Sequence, residues 1–189
     1  VKRYVELTTE QKQAYGAMKQ KALMVLENEV FSTMNALTQI MRLQQVVAGS
    51  LRNEEGETIL LKNNRIRAVL DLLEETSGKV VIFAIFQTDI QELERAIAEK
   101  FGKKSVASYY GKTPQDDRQK TIDRFQDPDS ELRYFVSNPQ TGGRGITLTE
   151  ASTMIYYSNS YDLELRVQSE DRIHRIGQDK SCTYIDLVS

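Results

Sequence analysis

The chain has 189 residues, of which 40% are hydrophobic and 28% charged, with 25 basic and 27 acidic side chains, three prolines, one His and one Cys. That length suits one α/β domain with a helical annex, and a net charge of −2 excludes a polybasic binder that works by bulk charge. Plentiful aliphatic residues argue against disorder; Cys182 with His174 can neither build a disulfide framework nor close a zinc site, so an intracellular, reducing compartment is expected.

The opening, VKRYVELTTEQKQ, is charged, lacks an apolar signal core and does not start with Met. The chain is therefore expected to be a piece of a longer protein. Thr8 or Thr9 can cap a first helix, with Glu10 in its first turn. Tyr15, Met18, Ala22, Val25 and Leu26 fall at three-to-four spacing and make one apolar stripe. A second helix is predicted over Phe31 to Ala48, stopped by Gly49. SLRNEEGETILLKNN reads as a loop or short hairpin. Residues 1–62 form a helical segment on this reading, either a plain helical hairpin or a surface that moves with a partner domain. Residues 63–189 form the α/β part.

From Asn63 onward helix and strand alternate. Asn64 can cap RIRAVLDLLEET. KVVIFAIF is a continuous apolar run, as a strand buried on both faces should be. Thr88 or Asp89 opens a helix that ends at Gly102. SVASYY is a strand, and Thr113-Pro114 opens the helix QDDRQKTIDRF. ELRYFVSN, TMIYYS and CTYIDLV are three further strands, with a Gly-rich loop at 142–145 and a helix predicted over 163–175. This alternation argues a parallel sheet covered on both faces. Ligands of such sheets sit beyond the carboxyl ends of the strands. The polar loops there are Gln87-Thr88-Asp89, Tyr110 to Thr113, and Asn138 to Thr149. No stretch approaches the roughly 20 apolar residues of a membrane span, and no membrane partner is expected.

Gly111-Lys112-Thr113 does not complete a phosphate loop. That pattern needs a Gly five residues before the Gly of the GK pair, and position 106 is Val106. A turn with a helix cap is the favoured reading, and contact with a nucleic-acid backbone the alternative. Gly142, Gly143 and Gly145 permit positive φ and close backbone approach, and either a tight strand-to-turn connection or a phosphate contact explains them. The run RVQSEDRIHRIGQ carries the most information. On a helix Arg172 lies about 40° from Gln168 and Arg175 about −20° from it. One narrow face then presents an amide and two guanidiniums, a donor set for a phosphate whose charge is being redistributed. The bland alternative is mutual neutralisation of Glu170, Asp171 and Arg172. A packed or hydrogen-bonded His174 is favoured over a general base. Tyr109, Tyr110, Tyr156, Tyr157 and Tyr161 are expected to be partly core, with one available to stack on a base, and Cys182 is expected to be inert packing.

QSEDRIHRIGQ at 168–178 resembles the last motif of Swi/Snf-type ATPases, the superfamily-two helicase-like DNA translocases. TGGRGITLTEASTMIYYSNSYD resembles the motif before it, KVVIFAIFQTDIQELE the first motif of the lobe, and YYGKTPQDDRQKTIDRF the segment with Gly111, Arg118 and Phe125. ELTTEQKQAY and the helices after it resemble the segment that links the two lobes. The resemblance covers nearly the whole chain. It implies the second, C-terminal RecA-like lobe of a two-lobe motor: a RecA-like parallel sheet with helices on both faces, preceded by the helical segment. It further implies an N-terminal RecA-like lobe that holds most of ATP and Mg²⁺, and double-stranded DNA running across both lobes.

On the matching positions Arg172 and Arg175 are the arginine fingers. Gln168, Gly143 and Gly145 lie at the nucleotide and the lobe interface. Gln87, Thr88, Asn138, Thr141 and Arg144 are implied DNA-backbone contacts. Asn138-Pro139-Gln140-Thr141 stand where many members carry Ser-Thr-Arg-Ala, Arg144 stands where an aliphatic residue is usual, and the chain has no Trp. These departures suggest a divergent branch, microbial or viral, with a cytoplasmic or nucleoid-associated location. The isolated lobe is expected to be inactive, because it lacks a phosphate loop. Two alternatives remain open: a catalytically silent helicase-like protein-interaction module, and a free-standing α/β protein that binds a small phosphorylated ligand.

Overall fold

The computed structural model describes residues 1–28, 33–53, 55–142 and 145–189. These residues divide into two compact units, Val1–Tyr4 with Ile66–Val188, and Val5–Arg65 with Ser189. The chain opens on a short strand of the larger unit, β1 (Lys2–Tyr4), and then enters the smaller one.

The smaller unit holds α1 (Thr9–Asn28), α2 (Thr33–Ala48) and an antiparallel hairpin of β2 (Ser50–Arg52) with β3 (Thr58–Leu60). Thr8 and Gln11 form a reciprocal cap at the start of α1: the Gln11 amide donates to Thr8 Oγ1 and the Thr8 amide to Gln11 Oε1. The same Gln11 side chain, 1% exposed, donates from Nε2 to the Val46 and Val47 carbonyls at the end of α2. One amide thereby closes both an N-terminus and a C-terminus. Ala22 is buried and Tyr15 and Met18 half-buried, as the apolar stripe requires, while the Val25 and Leu26 side chains lie outside the described residues. Gly49 ends α2 at φ +115°, a conformation that favours glycine.

In the larger unit the order is α3 (Arg65–Glu75), β4 (Lys79–Phe83), α4 (Gln87–Phe101), β5 (Val106–Tyr109), α5 (Gln115–Gln126), β6 (Tyr134–Ser137), a one-turn α6 (Pro139–Gly142), β7 (Ala151–Tyr156), α7 (Leu163–Glu170) and β8 (Thr183–Val188). Among the described residues six strands form one sheet in the order β1-β8-β7-β4-β6-β5, with every neighbouring pair parallel. The central strands β4 and β6 are buried at every position, which their unbroken apolar runs require. Ile90, Leu93 and Ile97 give α4 its buried face at helical spacing. Phe83, Phe125, Phe135, Met154 and Tyr156 belong to the core cluster on the sheet.

Four local expectations need correction. Residues 2–4, expected within the helical segment 1–62, are an edge strand paired in parallel with residues 186–188. The cap before α3 is Asn63 rather than Asn64: Asn63 Oδ1 accepts the Arg65 amide, while Asn64 Nδ2 donates to the Glu6 carbonyl. The helix after β4 opens at Gln87, with Phe86 at the cap position and no side-chain cap bond. The last helix stops at Glu170, so the predicted helix over 163–175 is five residues too long.

Candidate functional site

The carboxyl ends of β4, β6 and β7 are drawn together by side chains on the loops that leave them. Asn138 Nδ2 donates to the Ile85 carbonyl at 2.7 Å, and its Oδ1 accepts the Gln140 amide at 2.8 Å. Ser158 Oγ accepts the Ile85 amide at 2.9 Å. Gln87, exposed, and Thr88, half-buried, open α4 just after this knot, and Thr141 lies in α6 just beyond Asn138. The structure thus brings Gln87, Thr88, Asn138 and Thr141 to one end of the sheet. Asn138 spends its amide on the fold, whereas the exposed Gln87 stays open to a partner. Gly143 and Arg144 lie outside the described residues.

The arginine segment begins where α7 ends. From residue 171 onward the chain leaves the helical wheel. The Arg172 and Ile173 amides turn to the Ser169 and Glu170 carbonyls, three residues back, while the Arg172 carbonyl accepts the Leu148 amide and the Ile173 carbonyl accepts Gln178 Nε2. Ile173 is fully buried in the core cluster and pins the turn. Even so, both guanidiniums reach one side. Arg172 Nε donates to the Gln168 carbonyl at 2.9 Å and Nη1 to the Ile146 carbonyl at 3.3 Å. Arg175 Nη1 donates to Thr147 Oγ1 at 3.0 Å. Asp171, Arg172, His174, Arg175, Ile176 and Gln178 line an open concavity.

Gly145, at φ +72°, starts the loop that receives both arginines through Ile146 and Thr147. The segment from Gly145 to Thr147 and the arginine run are therefore neighbours in space. Gln168 does not share the arginine face: its Nε2 turns back to Glu164 Oε1 at 2.8 Å, and only its carbonyl meets Arg172.

Asp171 shares this concavity with the two arginines without a direct ion pair to either among the described residues. Among the described residues neither Arg172 nor Arg175 has a carboxylate ion pair, since Glu170 pairs with Arg166 at 2.6 Å instead. Mutual neutralisation of Glu170, Asp171 and Arg172 is therefore not what the fold builds. Burial, and then the like charge of Arg175, hold Arg172 below its ordinary value, against the pull of Asp171. An arginine so placed remains ionised and gains from an added anion. The donor set thus fits phosphate oxygens. Among the described residues no group of three His, Cys, Asp or Glu is placed to hold a metal ion.

Gly111-Lys112-Thr113 is a turn. The Thr113 amide donates to the Tyr110 carbonyl, and Thr113 Oγ1 accepts the Tyr110 amide. Tyr109, Tyr156 and Tyr157 are core, and Tyr161 is exposed. His174 is exposed and Cys182 half-buried, its thiol pushed up by burial. Among the described residues no helix is long and apolar enough to cross a membrane.

A family model described as the helicase conserved C-terminal domain matches residues 62–177. The chain belongs to that family. Within it this is a Swi/Snf-type, RecA-like C-terminal lobe, as its relatives and neighbours agree. Protein CHROMATIN REMODELING 4 of Arabidopsis thaliana is 29% identical over 200 residues, covering 97% of this chain and 9% of that protein. The solved structure of the C-terminal part of the Fun30 ATPase domain is 20% identical, with a TM-score of 0.79 over 99% of this chain and 83% of that one. The Sulfolobus solfataricus SWI2/SNF2 ATPase core in complex with dsDNA is 23% identical, with a TM-score of 0.80 over 100% of this chain and 40% of that one. The chain spans about a tenth of the length of the curated relatives it matches, 9% and 10% in two cases.

One member of the lobe's last motif received no role from the sequence. Gln178 Nε2 donates to the Thr149, Ala151 and Ile173 carbonyls at 2.9, 2.9 and 3.1 Å. It staples the arginine segment of this helicase lobe to the start of β7. The only signal for it was its place after Gly177, at φ +99°, which turns the chain back.

Proposed function

We propose that this lobe is the C-terminal half of an ATP-dependent double-stranded DNA translocase, supplying arginine fingers and DNA-backbone contacts to an ATPase site completed by an N-terminal RecA-like lobe. The observation that carries the reading is the pair Arg172 and Arg175, without carboxylate partners among the described residues, beside one open concavity. The chain itself has no GK pair with the upstream glycine of a phosphate loop. Donors without a cradle make sense as half of a shared site.

ATP with Mg²⁺ would be held mainly by the other lobe, and its γ-phosphoryl group would pass to water, with ADP leaving. Arg172 and Arg175 donate to the oxygens on which charge develops during transfer. An arginine finger contributes on the order of 10³–10⁵ in rate where a partner holds the nucleotide. The resemblance assigns Gln168, Gly143 and Gly145 to the nucleotide side, Gln168 through the carbonyl it offers Arg172 rather than through its carboxamide. Gln87, Thr88, Asn138, Thr141 and Arg144 face the duplex backbone, Asn138 mainly by holding the loop, and a net charge of −2 keeps those contacts few and local. The setting is cytoplasmic or nucleoid-associated.

The test compares ATP turnover of the 189-residue chain with that of the two-lobed protein, each with and without duplex DNA. The expected result is no turnover by the chain alone and DNA-stimulated turnover by the two-lobed protein. A two-lobed protein that binds partners but never hydrolyses ATP contradicts the proposal and supports a silent interaction module.

A further inference from the structure

Arg166 lies on α7 ahead of the motif at 168–178, and no role for it follows from the resemblance. Its guanidinium nevertheless makes four hydrogen bonds and one ring contact. Nε donates to Glu170 Oε1 at 2.6 Å, Nη1 to Asp186 Oδ1 at 2.5 Å and to Asn159 Oδ1 at 2.8 Å, and Nη2 to Asp186 Oδ2 at 3.3 Å. Its carbon stands 3.5 Å from the centroid of the Tyr156 ring. Tyr156 in turn shares a 2.6 Å hydrogen bond with Ser169 Oγ, and Ser169 Oγ donates to the Arg166 carbonyl at 2.7 Å.

The two side chains of the Arg166–Asp186 pair are 22% and 21% exposed. In the surface pair Lys104–Glu131 the corresponding values are 79% and 71%. Exposed pairs contribute little, whereas a forked, partly buried one fixes geometry. The network ties one helix to the exit of β7, through Tyr156 and Asn159, and to β8, through Asp186.

That helix carries the arginine segment. The Glu170 carbonyl accepts the Ile173 and His174 amides at 3.2 and 3.1 Å, and the Gln168 carbonyl accepts Arg172 Nε. The last turn of α7 thus sets where Arg172 starts, and Arg166 grips that turn through Glu170. Gln178 holds the far end of the segment and Arg166 the near end.

We propose that Arg166 is a positioning residue: anchored to Asp186, Asn159 and the Tyr156 ring, it fixes the angle of α7 and so the place at which Arg172 and Arg175 meet the phosphate. The inference rests on the phosphate-directed reading of those two arginines. A misplacement of about 1 Å in such a donor costs roughly 100-fold in rate, so loosening one of two anchors is expected to cost about tenfold.

Arg166→Lys keeps the charge and one ion pair but loses the fork and the ring stacking. Asp186→Asn removes the charged acceptor from the other side. Both are made in the two-lobed protein, beside Arg175→Ala and a remote control, Arg95→Ala, whose exposed side chain pairs with Glu92 and Glu99 on the same helix. The expected result is a kcat about tenfold lower for Arg166→Lys and for Asp186→Asn. KM for ATP stays within twofold, the double variant is no worse than either single one, and Arg95→Ala behaves as wild type. In the 189-residue chain, hydrogen exchange at the Ile173 and His174 amides quickens at least fivefold in Arg166→Lys, with the exchange of β4 unchanged.

Normal kcat in Arg166→Lys beside a crippled Arg175→Ala overturns the positioning role and leaves the finger reading standing. A fall in kcat matched by faster exchange throughout β4 also overturns it, because that is general loosening. Normal turnover in Arg175→Ala and Arg172→Ala defeats the finger reading, and this inference with it, whatever the exchange at Ile173 shows.

Discussion

Lys79 opens β4 with its ammonium turned inward, 7% exposed, donating to the Phe125 carbonyl at 2.7 Å and the Asp127 carbonyl at 2.5 Å. Burial lowers its pKa, while Glu150 and Asp127 oppose that shift. The side chain closes the end of α5, and its sequence position, at the head of an apolar strand, gave no sign of this. Lys79→Met leaves two acceptors without their donor and is expected to cost about 1–3 kcal/mol in urea denaturation; an unchanged midpoint would show that water replaces the ammonium. Asp186 gives a pH prediction. Burial pushes its carboxyl up, but the hydrogen bonds and charge of Arg166 and the Asn159 amide outweigh it, leaving the pKa below the ordinary value. A carboxylate lowered on folding contributes stability above its unfolded pKa of about 3.9 and loses it as the pH falls through the folded value. Melting curves from pH 6 to pH 3 should therefore decline more steeply for the wild type than for Asp186→Asn. Parallel curves would rule out this contribution.

At the scale of elements, period and composition were enough for most of the larger unit. The unbroken apolar runs of β4 and β6 and the three-to-four spacing of α4 are local signals, and they appear where burial demands. The failures arise where a distant group decides. Helical spacing continues through DRIHRI, yet the Arg172 and Ile173 amides turn to carbonyls three residues back, and the Arg172 carbonyl is held by the distant Leu148 amide. The Leu148 contact lies beyond any local window, whereas Gln178 is only five residues from Ile173. The Arg172–Arg175 pairing survived that error because the turns return both side chains to one concavity, while the carboxamide of Gln168 did not follow them. Gln11 is similar: its spacing from Thr8 marks a cap, but its grip on α2 depends on packing. Gln11→Ala removes all three side-chain bonds, to the Thr8 amide and the Val46 and Val47 carbonyls, and is expected to destabilise the smaller unit by about 1–3 kcal/mol. Exchange at the α1 amides measures it, and protection equal to wild type would contradict the role.

At the scale of the whole molecule, the sheet is closed by a strand that its own sequence hides. Lys-Arg-Tyr at 2–4 is polar and three residues long, and becomes β1 only because residues 186–188 offer a parallel edge. Deleting residues 1–4 should speed exchange at the Asp186 amide, which donates to the Val1 carbonyl, without disturbing β4; unchanged exchange would mean that β8 is stable as an edge. The sheet in turn presents, at one end, a concavity lined by Arg172 and Arg175. The most direct measurement is single-turnover ATP hydrolysis by the two-lobed protein on duplex DNA, comparing wild type with Arg172→Ala and Arg175→Ala and measuring nucleotide affinity in parallel. Hydrolysis slowed by at least about 100-fold in each variant, with ATP affinity within a few-fold, is the predicted result. Near-normal hydrolysis in either variant would contradict it.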